Sequence, residues 1–435
     1  MALSKDFLWG AASAAAQIEG AWDEAGKCPS IWDEAGARIK NGDTCHTACD
    51  HYHRYREDVA LMKELGLNSY RFSVSMCRVM PEEGKINPRG LDFYRKLVRE
   101  LRDAGIEPLC TLYHWDLPVW AQKQGGWKNK RIVDWYLAYA EAVVDALSDE
   151  VRWWMTFNEP QCFIMLGYVA GSHAPFRHDV LSFRSRHIRN FLLAHGKCVK
   201  MIRQRAKTEP KIGIAMASTT FIPASESPEE LRRAAYYSFE HRIGEGSNSL
   251  WMDPIGLGRP SKLMRRVLSE EDLQIASEPL DFVGVNVYQP SNPMIEREKY
   301  EAEGHPKTSL GWTVDPRCLY WTIRQYWERY RLPVLVTENG MAANDTVFPD
   351  DPEHCHDPER IAFLDGFLHE MKRAADEGIP VLGYQHWSVM DNFEWCEGYA
   401  PRFGLIHVDY ETQKRTIKDS GRHYAEIIRA NGENL

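Results

Sequence analysis

Residues 317–340 read RCLYWTIRQYWERYRLPVLVTENG. A helix is expected over Arg317–Tyr330 and a strand over Pro333–Asn339 (PVLVTEN). The strand is a near-continuous apolar run, so both of its faces are expected to be covered, as in a parallel sheet. Its tip is polar: Glu338, Asn339 and then Gly340. Short apolar strand and amphipathic helix recur in this manner on both sides of the stretch.

Upstream, Phe7–Trp9 opens with an apolar run. A helix is expected over Asp50–Leu65, where Tyr52, Tyr55, Val59 and Met62 fall at helical spacing. Ser69–Val74 (SYRFSV) reads as a strand, and Leu91, Tyr94, Val98 and Leu101 mark a helix before Pro108–His114 (PLCTLYH). A helix near Ile132–Leu147 precedes Val151–Asn158 (VRWWMTFN), and one near Ile188–Ile202 precedes Lys211–Ser218 (KIGIAMAS). Another around Glu229–Ile243 precedes Asp281–Tyr288 (DFVGVNVY). Downstream, Ile361, Leu364, Leu368 and Met371 define a helix before Val381–Ser388 (VLGYQHWS), and a last helix covers about Ser420–Ala430. Repeated units of this kind predict an α/β fold, a single (β/α)8 TIM barrel with extended βα loops. The alternative, an open doubly wound sheet, has no Gly-rich phosphate cradle after any strand to support it.

The chain has 435 residues. A prior of about 150 residues per domain would give two or three domains, but barrels with insertions reach more than about 400 residues. No Pro/Ser-rich linker divides the sequence, so residues 1–435 are expected to form one catalytic domain. A net charge of -9 leaves no basic face for nucleic acid. No stretch approaches the ~18 apolar residues of a membrane span. Met1–Gly20 lacks a basic region followed by an apolar run, so no secretory signal is expected. Ten cysteines scattered along the chain fit a reduced cytoplasmic interior. Cys45, His46, Cys49, His51 and His53 crowd one segment, but their spacing is wrong for zinc and ordinary loop residues are expected there. Fifteen tryptophans are the unusual feature; most belong in a core, and the rest offer flat faces that suit sugars.

In such a barrel the C-terminal strand ends face the active site. Gln17 follows the first strand and Arg71 lies in the second. His114-Trp115-Asp116 end the third and Asn158-Glu159-Pro160 the fourth. Asn286 and Tyr288 end the sixth, Glu338 the seventh, and Trp387 the eighth, which runs into Asp391–Trp395. Each alone reads as a satisfied strand-end residue. Seven of eight strands sending amides, carboxylates, imidazole or indole to one rim suit a ligand covered in hydroxyls. Glu159 and Glu338 each close an apolar strand beside an asparagine, on strands far apart around the ring. Glycoside hydrolysis needs such a pair with split pKa values, and Arg71 is a cation that would hold one of them ionised.

FLWGAASAAAQIEG (7–20), DHYHRYREDVALMKELG (50–66), YHWDLP (113–118), TFNEP (156–160), TENG (337–340), DNFEW (391–395) and RFGL (402–405) resemble glycoside hydrolase family 1, the retaining β-glucosidases, over essentially the whole chain. The resemblance implies Glu159 as general acid/base and Glu338 as nucleophile. It implies Gln17, His114, Asn158, Glu394 and Trp395 as holders of the sugar, Trp387 as its stacking platform, and Trp115 and Phe403 as pocket walls. Asn286 and Tyr288 match the pair near the reacting centre, and Arg71 the arginine that keeps the nucleophile charged. No metal or organic cofactor is implied. The implied partner is a small-molecule glycoside, a β-glucoside or cello-oligosaccharide with side activity on galactosides and fucosides; a homo-oligomer is compatible with the sequence. Departures at Ala16, Asp43–His46, Met76-Cys77 and His386 bear on leaving-group preference, and Gln289–Pro316 is expected to overhang the pocket. The competing readings are an inactive sugar-binding module, a 6-phospho-β-glucosidase, an inverting hydrolase and a transglycosylase.

Overall fold

The computed structural model describes residues 3–241 and 247–435. Its eight barrel strands are β1 (Leu8–Ala12), β2 (Ser69–Ser73), β3 (Glu107–Thr111), β4 (Trp153–Asn158), β5 (Lys211–Ala217), β6 (Val283–Asn286), β7 (Val334–Asn339) and β8 (Val381–Trp387). They are parallel and close in sequence order, with Leu8 opposite Gly383 and Ala12 opposite Trp387 across the β1–β8 seam. Around them lie α1 (His51–Glu64), α2 (Pro88–Asp103), α3 (Ile132–Leu147), α4 (Arg189–Arg205), α5 (Pro228–Phe239), α6 (Arg317–Tyr330), α7 (Pro358–Asp376) and α8 (Asp419–Arg429). The chain is a (β/α)8 barrel. The expected helices at 132–147 and 317–330 match residue for residue; the end of the one expected to reach Ile243 lies outside the described residues. Two further helices before β6, Asn248–Gly256 and Glu270–Ala276, have no counterpart in the sequence reading. Helix starts follow local chemistry: the Asn87 side chain accepts from the Arg89 amide with Pro88 in the first turn, and Ser227 and Pro228 repeat the device for α5.

The barrel interior is layered. Leu8, Leu109, Met155, Phe282 and Leu335 form an apolar floor. Two residues further along the same strands the interior turns polar, with Thr111 after Leu109 and Thr337 after Leu335. Strict alternation would likewise bring Phe157 inside after Met155. The pairing of β4 with β5 shifts between Met155 and Asn158. Phe157 instead packs outside against Trp127, Tyr136 and Phe191, and Asn158 turns inward. Register also shifts at Val285/Asn286 and at Val336/Asn339. Such irregularities re-aim side chains; these three sit where the polar tips emerge, and a fourth, at Val334/Leu335, lies at the start of β7. Gly340 is required by close approach: a Cβ there would stand 1.8 Å from the Trp387 carbonyl oxygen.

The β8 loop rests on a buried ion network. Lys418 Nζ contacts Asp345 Oδ2 at 2.5 Å and Asp391 Oδ1 at 2.7 Å. Arg402 holds the other Asp391 oxygen at 2.7 Å, and Arg360 joins Asp345 to Asp357. Burial opposes ionisation of Asp391, but Lys418 and Arg402 prevail and hold its carboxyl at about 2. Asp391 therefore adds stability above the ordinary carboxylate range, and that contribution is lost as pH falls through about 2. Lys418→Met leaves Asp345 and Asp391 short of a counter-charge. It is expected to lower unfolding free energy by about 3–5 kcal/mol, read by urea denaturation at neutral pH; a loss under about 1 kcal/mol would show the network to be dispensable.

The Cys45–His53 segment disperses its candidate ligands. Cys45 donates to Asp33, Cys49 to the Asp391 carbonyl, His51 pairs with Asp58, His53 with Asp50, and His46 stacks on Trp22. Among the described residues no group of three such side chains is placed to share a metal. None of the ten cysteines forms a disulfide, and among the described residues no helix is long and apolar enough to cross a membrane.

Candidate active site

Glu338 lies within β7 and Glu159 one residue past β4. Glu159 adopts φ 44°, ψ 66°, a left-handed conformation uncommon for a residue with a side chain. Its amide donates to the Ala215 carbonyl at 2.8 Å, and Pro160 then opens a short helix, Pro160–Ile164. The carboxyl is thereby turned off the strand axis.

Arg71 rises from β2 through the barrel interior. Its Nε donates to Thr111 Oγ1 at 3.1 Å, its Nη1 to Glu338 Oε1 at 2.6 Å and the Thr337 carbonyl at 3.0 Å, and its Nη2 to Asn158 Oδ1 at 2.6 Å. Tyr288 donates to Glu338 Oε2 at 2.6 Å. Asn286 Nδ2 donates to Asn158 Oδ1 at 3.0 Å and to Glu159 Oε1 at 2.9 Å, and its own oxygen accepts from Thr337. One hydrogen-bonded path thus runs Glu338–Arg71–Asn158–Asn286–Glu159. Because Asn158 Oδ1 accepts from Arg71, its amide nitrogen faces His114 Nε2, at 2.9 Å. That nitrogen must accept, so the His114 proton sits on Nδ1; burial, with Arg71 nearby, keeps the ring neutral.

The carboxyls are not equivalent. Burial, and then the charge of Glu338, pushes Glu159 up to about 8. Burial also raises Glu338, against Arg71 and Tyr288. Arg71 was expected to hold this carboxyl ionised; it acts in that direction, but desolvation outweighs the guanidinium. The proton still belongs on Glu159, which has an amide donor where Glu338 has a cation and a phenol. Glu394 is raised to about 8 by burial and by Glu338 and Glu159.

Eleven of the expected site residues line one cavity of about 320 Å³: His114, Trp115, Asn158, Glu159, Asn286, Tyr288, Glu338, Trp387, Glu394, Trp395 and Phe403. Trp395 stacks on Trp115 with centroids 4.8 Å apart, and His114 on Trp387 at 5.6 Å, making an aromatic wall. The other two expected residues stand behind the lining. Arg71 lies beneath it, and Gln17 Nε2 holds the β8 loop through the Phe393 carbonyl (2.8 Å), Asn392 Oδ1 (3.0 Å) and Glu394 Oε2 (3.4 Å). The third strand ends at Thr111, so His114 and Trp115 ride on a loop and not on a strand tip. The sequence reading missed Gln161, Leu166 and His173 after β4, and Ser218 and Thr219 after β5, which also line the cavity. Ser218 closes KIGIAMAS, so its polar tip was the signal available for the fifth strand. Gln289, Pro290, Ser291, Met294 and Trp312 bring the long β6 segment over the same cavity.

The model of the glycosyl hydrolase family 1 matches residues 1–433. The chain is 40% identical to β-glucosidase A of Thermotoga maritima, over 98% of this chain and 97% of that protein. It is 37% identical to a bifunctional β-D-glucosidase/β-D-fucosidase of Bifidobacterium breve, over 98% of each. A structure of the Thermotoga maritima β-glucosidase in complex with glucoimidazole superposes with a TM-score of 0.88 at 38% identity, covering 99% of both chains. A whole-length family match, on a barrel that gathers two unlike carboxyls into one aromatic-walled cavity, places this chain in glycosyl hydrolase family 1.

Proposed function

We propose that residues 1–435 act as one catalytic unit, a retaining β-glucosidase that removes terminal non-reducing β-D-glucosyl residues from small glucosides, with side activity on β-galactosides and β-fucosides. The observation that carries this is the asymmetry of the two carboxyls in one cavity: Glu338 gripped by Arg71 and Tyr288, Glu159 held protonated to about 8. Glu338 attacks the anomeric carbon as Glu159 gives its proton to the departing oxygen, and a glycosyl ester forms. The ester removes the Glu338 charge, which drops the Glu159 pKa and makes it the base that takes a proton from water. Water then releases the sugar with its configuration retained. In this scheme His114, Asn158, Glu394 and Trp395 hold the sugar, Gln17 orients Glu394, Trp387 supplies the platform, and Trp115 and Phe403 close the walls. Asn286 and Tyr288 orient the carboxyls. Neither step calls for a metal or organic cofactor.

An unphosphorylated sugar is favoured over a 6-phosphosugar. The cavity presents three carboxyls, and among the described residues none that lines it is lysine or arginine. The names of the relatives support glucose as the sugar. Ten cysteines without a disulfide support a reducing, cytoplasmic location. The test is hydrolysis of nitrophenyl β-glucoside beside its 6-phospho counterpart, followed by NMR. β-Glucose as the first-formed product and preference for the unphosphorylated substrate are expected. α-Glucose would mean inversion, and preference for the phosphorylated substrate would overturn the sugar assignment.

A further inference from the structure

Gln161, two residues after Glu159, is 2% exposed and lines the cavity. Its Nε2 donates to the Ala217 carbonyl at 3.0 Å. Flipping the amide would oppose two carbonyl oxygens, so the orientation is fixed. The remaining atom, Oε1, is buried and has no hydrogen-bond partner in the protein. Gln161 therefore offers the cavity a rigid acceptor. His173 lines the same cavity, beside Trp115 and Trp32, also with an unpartnered buried nitrogen, Nδ1. Burial keeps this imidazole neutral. The apolar Leu166 and Met294 line the cavity as well. The sugar-holding groups Glu394 and Trp395 come from the β8 loop, whereas Gln161 stands two residues past Glu159, the group that must reach the departing oxygen, and against the end of β5.

Resting on the glucosidase reading, we infer that Gln161 is a specificity-determining residue for the leaving group. Its fixed carbonyl accepts from a hydroxyl near the glycosidic oxygen, so it favours a sugar or polyol over an apolar alcohol. An apolar leaving group that covers Oε1 shuts out solvent and returns no donor, leaving a buried acceptor unmet. A site built to receive a hydroxyl discriminates strongly against analogues that lack it.

The experiment compares kcat/KM for cellobiose and hexyl β-glucoside. This quantity runs through formation of the glycosyl ester, while the leaving group is still bound. Both leaving groups are poor and need the Glu159 proton, so a change that acts only through Glu159 lowers both alike. Gln161→Leu and Gln161→Met are expected to lower the cellobiose-to-hexyl ratio about tenfold. A ratio within about twofold of wild type in both variants overturns the inference while leaving the glucosidase reading intact. Wild-type protein that hydrolyses neither glucoside overturns the reading and the inference together. Should the variants not fold, the unaltered protein decides with cellobiose analogues lacking one hydroxyl of the leaving glucose. At least one deletion is expected to cost about tenfold in kcat/KM, and uniform indifference to all of them overturns the inference.

Discussion

Glu338→Ala is expected to lower kcat/KM for nitrophenyl β-glucoside by at least ~10⁴-fold, because the nucleophile and its covalent route vanish together. The variant should fold with reduced stability, since Arg71 loses its buried counter-ion but keeps Thr111, Asn158 and the Thr337 carbonyl as partners. Azide supplied in solution can enter the space left by the carboxylate and attack from the same face. Turnover should then return, with α-glucosyl azide as product, since a single displacement inverts the centre. Residual activity within tenfold of wild type, or a β-azide product, would move the nucleophile elsewhere.

Glu159→Gln should divide substrates by leaving group. For a poor alcohol leaving group, loss of the general acid is expected to cost about 10²–10⁴-fold in kcat/KM. For dinitrophenyl β-glucoside, whose phenolate departs without a proton, the loss in glycosylation should be much smaller. The pH profile gives an independent reading. A carboxyl held at about 8 keeps its proton through neutral pH, so wild-type kcat/KM should fall as pH rises through about 8. In Glu159→Gln with the dinitrophenyl substrate that limb should disappear. An unchanged limb would assign it to Glu394, whose carboxyl is held near the same value. The three carboxyls interact, so the limb is a property of the cluster as well as of any one member.

Much of this architecture was legible in the chain because it is written locally. PVLVTEN and VRWWMTFN declare buried strands by their continuous apolar character, and α3 and α6 lie where the sequence reading put them. Glu159 and Glu338 were legible because polar strand tips recur around one rim and because TFNEP and TENG carry the family resemblance. What escaped depends on contacts between remote residues. Asp345, Asp357, Arg360, Arg402 and Lys418 meet beneath the β8 loop, yet none follows a periodicity that would announce a partner. Gln161 occupies the first turn of a helix too short to show a pattern. Its importance comes from the Ala217 carbonyl on the neighbouring strand. His114 and Trp115 line the cavity from a loop and not from the strand tip that the sequence reading gave them, because PLCTLYH stays apolar for two residues after its ladder ends. The register shift that turns Asn158 inward is invisible to an alternation rule, which would have chosen Phe157.

The arginine at the heart of the barrel gives the covalent stage a character of its own. In the proposed mechanism, once Glu338 is esterified, the Arg71 guanidinium keeps its neutral partners Thr111, Thr337 and Asn158 but loses the anion it was balancing. A stranded cation is left in a low-dielectric interior, with Asn158 and Asn286 relaying its influence to Glu159. The field felt there swings from repulsive to attractive for a carboxylate. The acylal-like intermediate is thus electrostatically spring-loaded: it lowers its energy by regenerating the anion, and the same swing readies the base that lets water do so.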